Sequence, residues 1–292
     1  MAGHGSDPPF RSVAIIGLGL IGGSIALAIR EAWPSVRIAG VDRGAVLAHA
    51  LGSGALDRGA ESVRLVGEAE TDLVILAAPV RQNVQLLGEV APQLSPITVV
   101  TDVGGTKRDI VEAARNVPSL VSFVGGHPIG GAERGGFGFA RPDMFRGRPW
   151  IFTPDANAPQ AALDLLSIFV RGLGARPSIM DAGEHDRVMA FLSHLPQLTA
   201  SALMEVIGRA AKADGLRLAG RGLVDTTRLA SSPSNIWKDI CATNAPAIGE
   251  ALDVLIARLT ELRADLERGA AVESVFDDAG RWRAELMKGR ET

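Results

Sequence analysis

A glycine-rich segment near the start of the chain limits the possible folds more than any other stretch. The apolar run Ser12–Ile16 leads into Gly17-Leu-Gly-Leu-Ile-Gly22 and an apolar helical pattern, and a second apolar run stops at Asp42. The three glycines would permit a tight turn, close approach of the backbone to a pyrophosphate, and close packing of helix on strand. An acidic residue about 20 residues further on is the expected partner of a ribose hydroxyl. The segment therefore predicts a strand, turn and helix that bind a dinucleotide.

The predicted cofactor contacts follow from this unit. A helix N-terminus offers unpaired N–H groups and a positive dipole end to a phosphate. Asp42 favours NAD over NADP because a carboxylate repels a 2′-phosphate, whereas the adjacent Arg43 leaves NADP open. The alternative is a structural glycine-rich turn without a ligand. The predicted cofactor-binding residues are Gly17, Gly19, Leu20, Ile21, Gly22, Asp42, Arg43 and Pro79.

The composition is that of an ordinary globular protein. With 292 residues, 47% of them hydrophobic, and a net charge of -3, the chain can build a sizeable core in two domains. The mild acidity gives no reason to expect nucleic acid or a membrane as partner. The apolar start lacks a basic leader, which argues against a signal peptide. A single cysteine, Cys241, fits a reducing compartment, so we expect a cytoplasmic protein.

Strand and helix patterns alternate from residue 70 to 180, which is typical of a parallel sheet covered by helices. Ligands of such sheets bind beyond the carboxyl ends of the strands. Pro79, Asp102, Gly105 and His127 all follow or end predicted strands, so we expect them to line one crevice. We predict a disordered leader over 1–10 and a Rossmann-type α/β domain with a mostly parallel sheet over 11–180.

Beyond residue 180 the apolar residues recur at helical spacing. Asp181 resembles a helix cap, Pro196 should kink the first helix, and further helices are predicted from 244 to 269 and from 271 to 287. We therefore predict an all-helical domain over 181–292. Its long apolar stripes favour a homodimer through these helices, the alternative being a closed monomeric bundle.

Histidine is the natural proton-transfer group, because the chain has no tyrosine and so cannot use a tyrosine acid/base. Of the five histidines, His127 is the best candidate: Gly125 and Gly126 remove bulk beside it, and Pro128 biases it toward an extended backbone. A neutral imidazole can accept a hydroxyl proton near pH 7. The alternative is a histidine that only ties the glycine-rich loop together. No metal-ligand spacing is present.

Substrate contacts are predicted in the helical part of the chain. Ser193 and Gln197 lie one helical turn apart on one face, whereas His185 and His194 are more typical of hydrogen-bonded packing residues. Arg228 lies in a polar run and is suited to pair bidentately with a carboxylate. The alternative is a structural ion pair of Arg228 with Asp225 or Asp239.

Several motifs together resemble the prephenate/arogenate dehydrogenase family of tyrosine biosynthesis, over residues 12 to about 285. These motifs are Gly17-Leu-Gly-Leu-Ile-Gly-Gly-Ser24, Asp102-Val-Gly-Gly-Thr-Lys107, Gly125-Gly-His-Pro128, Glu184-His-Asp186, Ser193-His-Leu-Pro196 and Asp225-Thr-Thr-Arg228 with Trp237. The resemblance implies NAD(P)-dependent oxidative decarboxylation of prephenate or arogenate, with an aromatic product. It implies that His127 is the catalytic base, that Arg228 holds a substrate carboxylate, and that Ser193 contacts the substrate.

The chain departs from the family pattern at two positions. Many members have serine where Gly105 stands, so that only the neighbouring Thr106 could supply a hydroxyl to the substrate. Many prephenate-acting members have a histidine where this chain has Gln197, and an amide can donate hydrogen bonds but carries no charge. The choice between prephenate and arogenate therefore stays open.

Two other classes fit part of the pattern. A β-hydroxyacid or imine-type dehydrogenase would share both halves but rely on a lysine in the second one, where Lys212 and Lys238 are the only obvious candidates. A non-catalytic NAD-sensing regulator would keep the glycine-rich turn without needing His127 and Arg228.

Overall fold

The computed structural model describes residues 7–116, 122–131 and 134–288. Contacts divide the chain into two compact units, Met1–Ala245 and Pro246–Thr292. The change from α/β to helical structure falls after Ile179, but the helices up to residue 243 belong to the first unit, and the domain boundary at 180 stays a prediction. Residues 1–6 of the predicted leader, with His4, lie outside the described residues. Phe10 is buried edge-on to Phe169, so the core includes the leader's last residue.

The first unit is built on an eight-stranded sheet. Its strands are β1 Ser12–Ile16, β2 Arg37–Val41, β3 Arg58–Ala60, β4 Leu73–Leu76, β5 Val99–Asp102, β6 Ser122–Pro128, β7 Pro149–Thr153 and β8 Arg176–Ile179. The spatial order is β3-β2-β1-β4-β5-β6-β7-β8, and only the β6–β7 pair is antiparallel. The predicted mostly parallel Rossmann-type sheet is confirmed.

Helices cover both faces of this sheet. They are α1 Leu20–Ala32, α2 Gly44–Gly52, α3 Arg64–Glu68, α4 Val80–Val90, α5 Arg108–Ala114 and α6 Gln160–Gly172. Alternate residues of β1 enter two separate cores: Val13 and Ile15 face one, Ala14 and Ile16 the other. Strands buried on both faces read as continuous apolar runs, which explains the sequence pattern.

The rest of the described chain is helical. The helices are α7 Ala182–Met189, α8 Leu195–Leu216, α9 Arg221–Thr226, α10 Ser234–Thr243, α11 Ala245–Ala264 and α12 Ala270–Lys288, the last two extending through the second unit. Asp181 caps α7 as predicted, its carboxylate accepting hydrogen bonds from the backbone N–H groups of Gly183 and Glu184. The predicted irregularity before Pro196 is a π-helical turn over Ala190–His194.

No single helix within the described ranges is long and apolar enough to span a membrane. The broken pair Ser234–Thr243 and Ala245–Ala264 reaches the necessary length and hydropathy only when its two helices are taken together.

Candidate active site

The glycine-rich turn joins the carboxyl end of β1 to α1, and its three glycines have three different roles. Gly17 has a φ of +97°, and a Cβ there would lie 2.7 Å from the backbone of Ala77. A Cβ at Gly22 would lie 1.9 Å from the carbonyl oxygen of Gly17, so only glycine lets α1 pack this closely. At Gly19 a Cβ would meet nothing within 4 Å. That open space lies beside the helix N-terminus, where a phosphate group could be held.

Asp42 lies beside this turn, just after β2. Its Oδ2 accepts a hydrogen bond of 2.7 Å from the N–H of Leu18, and its Oδ1 accepts one of 2.7 Å from the N–H of Arg43. The Arg43 side chain is 91% exposed, and its Nε lies 3.9 Å from the same carboxylate. The N-terminus of α1 has no side-chain cap, so its N–H groups are available for an anion. These residues suit a dinucleotide with an unphosphorylated ribose.

His127 lies near the end of β6, where its backbone pairs with Ile151 of β7. The two glycines before it allow close packing: a Cβ at Gly125 would lie 2.4 Å from Thr153 Oγ1, and one at Gly126 2.6 Å from the Asp102 carbonyl oxygen. Since β1, β4, β5 and β6 are parallel, their carboxyl ends lie at one edge of the sheet. The histidine and the glycine-rich turn therefore share that edge.

A hydrogen-bonded chain of three side chains ends at His127. Its Nδ1 lies 2.8 Å from Nε2 of His185, and Nδ1 of His185 lies 2.8 Å from Oδ1 of Asp186. The side chains of His185 and Asp186 are completely buried at the start of α7. The Asp186 carboxylate also accepts hydrogen bonds from the backbone N–H groups of Lys107 (2.7 Å) and Arg108 (2.9 Å). These bonds join α7 to the first turn of α5.

Burial and hydrogen bonding set the charges in this chain. Burial lowers the pKa of His127 well below its usual range, and the neighbouring His185 and Lys107 lower it further. Burial raises the pKa of Asp186, but hydrogen bonds from His185 and the backbone of Arg108 and Lys107 outweigh this and lower it. At neutral pH the structure thus holds a neutral His127 and an ionised Asp186.

A buried ion pair supports the strand ends beneath His127. Lys107 is fully buried, and its ammonium donates to the Asp102 carboxylate and, at 2.8 Å, to the carbonyl oxygen of Gly126. Oδ1 of Asp102 in turn accepts a hydrogen bond of 3.0 Å from the N–H of Gly126. The pair ties β5 to β6 and thereby fixes the backbone that carries the histidine.

Two predicted substrate contacts have other partners in the structure. The Thr106 hydroxyl is buried and lies 2.7 Å from the hydroxyl of Thr243. Gln197 is 5% exposed; its amide nitrogen donates to the Leu229 carbonyl oxygen at 2.7 Å, and its amide oxygen accepts from the Ser232 hydroxyl at 3.0 Å. Tertiary packing satisfies both polar groups in this structure, and the substrate contacts of Thr106 and Gln197 stay predictions.

Ser193 and Arg228, in contrast, are both exposed. Ser193 belongs to the π-helical turn, and Arg228 begins a 3₁₀ turn over Arg228–Ser231 that packs on α8. Both residues stay predicted substrate contacts.

Gly105 leaves room beside His127, the candidate catalytic base. A Cβ at this position would lie 3.9 Å from His127 Nε2 and 3.8 Å from Ile240 Cδ1, which are ordinary contact distances. A serine would therefore fit, and its absence is not dictated by crowding at the Cβ position. The ring nitrogen of His127 that is not bonded to His185 faces this space.

Sequence reasoning missed the roles of His185, Asp186 and Asn244. Asn244 is fully buried; its amide nitrogen donates to the Asp186 carbonyl oxygen at 2.7 Å, and its amide oxygen accepts from Arg108 at 2.9 Å. The Glu184-His-Asp186 motif was the available signal, but the sequence does not reveal that His185 contacts His127. Among the described residues, no group of three or more His, Cys, Asp or Glu side chains could hold a metal ion.

A pH dependence of stability follows from His194. Burial lowers its pKa to about 4, against about 6.5 in an unfolded chain. The unfolded state then binds more protons between these values, so the free energy of unfolding falls as pH falls from about 6.5 toward 4, by at most about 1.4 kcal/mol per pH unit. We expect the drop in Tm between pH 7 and pH 5 to be smaller in His194→Gln than in the parent. Equal drops would contradict a buried neutral His194.

Comparison with known proteins places this geometry in context. Residues 25–179 match the family model described as prephenate dehydrogenase, nucleotide-binding domain, and residues 181–276 match the one described as prephenate dehydrogenase, dimerization domain. The prephenate dehydrogenase of Bacillus subtilis (strain 168) is 36% identical over 270 residues, which cover 91% of this chain and 72% of that protein.

Solved structures agree with the sequence comparisons. The structure of Aquifex aeolicus prephenate dehydrogenase in complex with hydroxyphenyl propionate and NAD+ superposes with a TM-score of 0.87 at 29% identity, covering 95% of this chain and 98% of that one. The arogenate dehydrogenase of Synechocystis gives a TM-score of 0.76 at 25% identity, covering 96% of this chain and 99% of that one.

Proposed function

The chain belongs to the prephenate dehydrogenase family, and from that premise we propose that it oxidises prephenate or arogenate with NAD while carbon dioxide is released. The product is 4-hydroxyphenylpyruvate from prephenate or tyrosine from arogenate. The observation that carries the proposal is the position of His127: it lies at the sheet edge that also holds the glycine-rich turn, with Nδ1 bonded to His185 and Nε2 facing the space at Gly105.

The residues present fit a nicotinamide dinucleotide. The open space at Gly19 and the uncapped N-terminus of α1, with Leu20 and Ile21, would hold the pyrophosphate. Asp42 and Arg43 would face the adenosine ribose, and Pro79, at the N-terminus of α4, would border the cofactor. Bound NAD supplies the hydride acceptor for the reaction.

The protein's own contribution is to bind the substrate and remove a proton. His127 accepts the proton of the substrate ring hydroxyl at Nε2 as hydride leaves the same carbinol carbon. Loss of the ring carboxylate as carbon dioxide then leaves its bonding electrons in the ring, which becomes an aromatic phenolate and takes back the proton from His127. Aromatisation renders the step effectively irreversible. Arg228 holds a substrate carboxylate, and Ser193 contacts the substrate. A neutral His127 is the protonation state that this role requires.

We also infer a cytoplasmic homodimer formed through the helical region. The second unit exposes large apolar side chains that a monomer would leave in water: Val254 (61%), Leu259 (54%), Phe276 (74%), Trp282 (74%) and Leu286 (57%). Exposed apolar surface of this extent is typical of a protein interface. Sedimentation of the purified protein at micromolar concentration tests the proposal.

The function is tested by incubating the purified protein with prephenate or arogenate, each with NAD or NADP. We expect reduced cofactor and carbon dioxide to form in equal amounts in at least one combination with NAD. No turnover in any of the four combinations would refute the proposal.

The choice of cofactor is tested at Asp42. Asp42→Asn keeps an oxygen for the N–H of Leu18 but removes the charge, so we expect the preference for NAD over NADP in kcat/KM to fall by about 1–2 kcal/mol, or roughly 5- to 30-fold. Arg43→Gln is the matched control and should shift the preference toward NAD. An unchanged ratio in Asp42→Asn would mean that this carboxylate only holds the glycine-rich turn.

A further inference from the structure

The hydrogen-bonded chain of Asp186, His185 and His127 determines which ring nitrogen of His127 carries a proton. The Asp186 carboxylate has only acceptor oxygens, and Oδ1 lies 2.8 Å from Nδ1 of His185. That nitrogen must therefore carry a hydrogen. In a neutral His185 the other nitrogen, Nε2, is then an acceptor, and it lies 2.8 Å from His127 Nδ1. His127 donates from Nδ1, and its Nε2 is left without a proton.

The position of Asp186 is fixed independently of the two histidines. Its oxygens accept hydrogen bonds from the backbone N–H groups of Lys107 and Arg108 at the start of α5, at 2.7 and 2.9 Å. Its own carbonyl oxygen accepts from the buried amide of Asn244 at 2.7 Å. Backbone groups and a buried side chain hold Asp186 in place. Its carboxylate therefore cannot rotate away from His185, and it fixes the orientation of that imidazole.

We propose that His185 and Asp186 are positioning residues for the reaction: they hold His127 with a bare Nε2 facing the substrate and stabilise the imidazolium that forms there. The inference rests on the proposed function. In the step concerned the substrate O–H bond breaks and an N–H bond forms at His127 Nε2. The hydrogen at Nδ1 stays bonded to His185, and the negative charge of Asp186 lies two hydrogen bonds away from the new positive charge.

The surroundings of His127 make such a counter-charge necessary. Burial opposes a positive charge on its ring, and the nearby ammonium of Lys107 opposes it as well. Asp102, the nearest carboxylate to Lys107, is engaged by that ammonium and by two backbone N–H groups. Asp186, whose Oδ2 also lies 3.4 Å from Nε of Arg108, is the carboxylate that reaches the ring through a hydrogen-bonded partner.

The first test compares two replacements of His185. His185→Leu removes the acceptor for His127 Nδ1, whereas His185→Gln can present an amide oxygen in its place. We expect kcat to fall about 100-fold in His185→Leu, with little change in the affinity for NAD, and to recover substantially in His185→Gln. Equal kcat losses in both variants, at matched thermal stability, would overturn the proposal, because a purely packing role does not distinguish an acceptor from a methyl group.

The second test measures directly which ring nitrogen of His127 carries the proton, and it does not require His185→Leu to fold. The ¹⁵N NMR signals of the imidazole nitrogens, assigned by their loss in His127→Asn, report which nitrogen is protonated. We expect Nδ1 of His127 to be protonated and Nε2 to be bare in the parent. A His127 that is protonated at Nε2 in the parent would overturn the proposal.

His49→Gln is the control for removing a histidine outside this chain, since His49 lies on α2 and its ring packs edge-on to Phe137. It should keep a kcat close to that of the parent. Failure of the proposed function can be distinguished from failure of the positioning role, because in the first case the parent protein itself shows no turnover. If the parent is active and His185→Leu and Asp186→Asn match its kcat, only the positioning role is refuted.

Discussion

Replacing His127 with asparagine is expected to lower kcat by about 10²- to 10⁴-fold while NAD binds as in the parent. Asparagine is compact enough for the site, and its amide can still donate to Nε2 of His185, which lies 2.8 Å from the native Nδ1. It has no group that can take up a proton near neutral pH. Because the N-terminus of α1 and Asp42 are untouched, the loss should be confined to the chemical step.

The measurement is steady-state kinetics with the better substrate, together with a titration of NAD binding. His49→Asn is the matched control, since His49 is an exposed histidine on α2 and should leave kcat near the parent value. An unchanged kcat in His127→Asn would remove His127 from proton transfer. A parallel loss of NAD binding would indicate instead that the end of β6 has collapsed.

The cofactor end of the site could be predicted because its determinants are local. The roles of Gly17, Gly19 and Gly22 follow from backbone geometry within six residues, and the structure shows the positive φ of Gly17 and the close packing at Gly22 that their positions predict. The parallel order of β1, β4, β5 and β6 likewise follows from alternating strands and helices. It was therefore possible to place His127 at the correct edge of the sheet from the sequence alone.

The partners of polar side chains could not be predicted in the same way. His185 lies 58 residues from His127 and Thr243 lies 137 residues from Thr106, so their hydrogen bonds depend on how α7 and α10 dock on the sheet. Gln197 has a helical position compatible with a substrate contact, but its amide is satisfied by the turn that follows α9. Spacing along a helix shows which face of the helix a residue occupies, but it does not show which other element packs against that face.

The polar run around residues 222–239 is a second case in which the partners of polar side chains could not be predicted from the sequence. The sequence suggested that so polar a segment needs a ligand, and part of its polarity serves the fold. It forms α9, a 3₁₀ turn and α10, and Asp239 caps α4 by accepting from the N–H of Arg81. Arg228 is the member of this run that stays a predicted substrate contact.

Replacing Arg228 with alanine is expected to raise KM for the substrate about 10- to 100-fold, with a smaller effect on kcat and none on NAD binding. A hydrogen bond to a charged group contributes about 1.5–3 kcal/mol, and the planar guanidinium can make two to one carboxylate. Arg228→Lys should recover only part of the affinity, because an ammonium cannot form the bidentate pair.

The backbone that presents Arg228 is held by Gln197, whose buried amide bonds to Leu229 and Ser232 on the same turn. Gln197→Leu should therefore also raise KM. Arg221→Ala is the control, since Arg221 is an exposed arginine on α9 paired with Asp225, and its KM should stay near that of the parent. If Arg228→Ala lowers Tm and leaves KM unchanged, the arginine stabilises the fold instead of holding the substrate carboxylate.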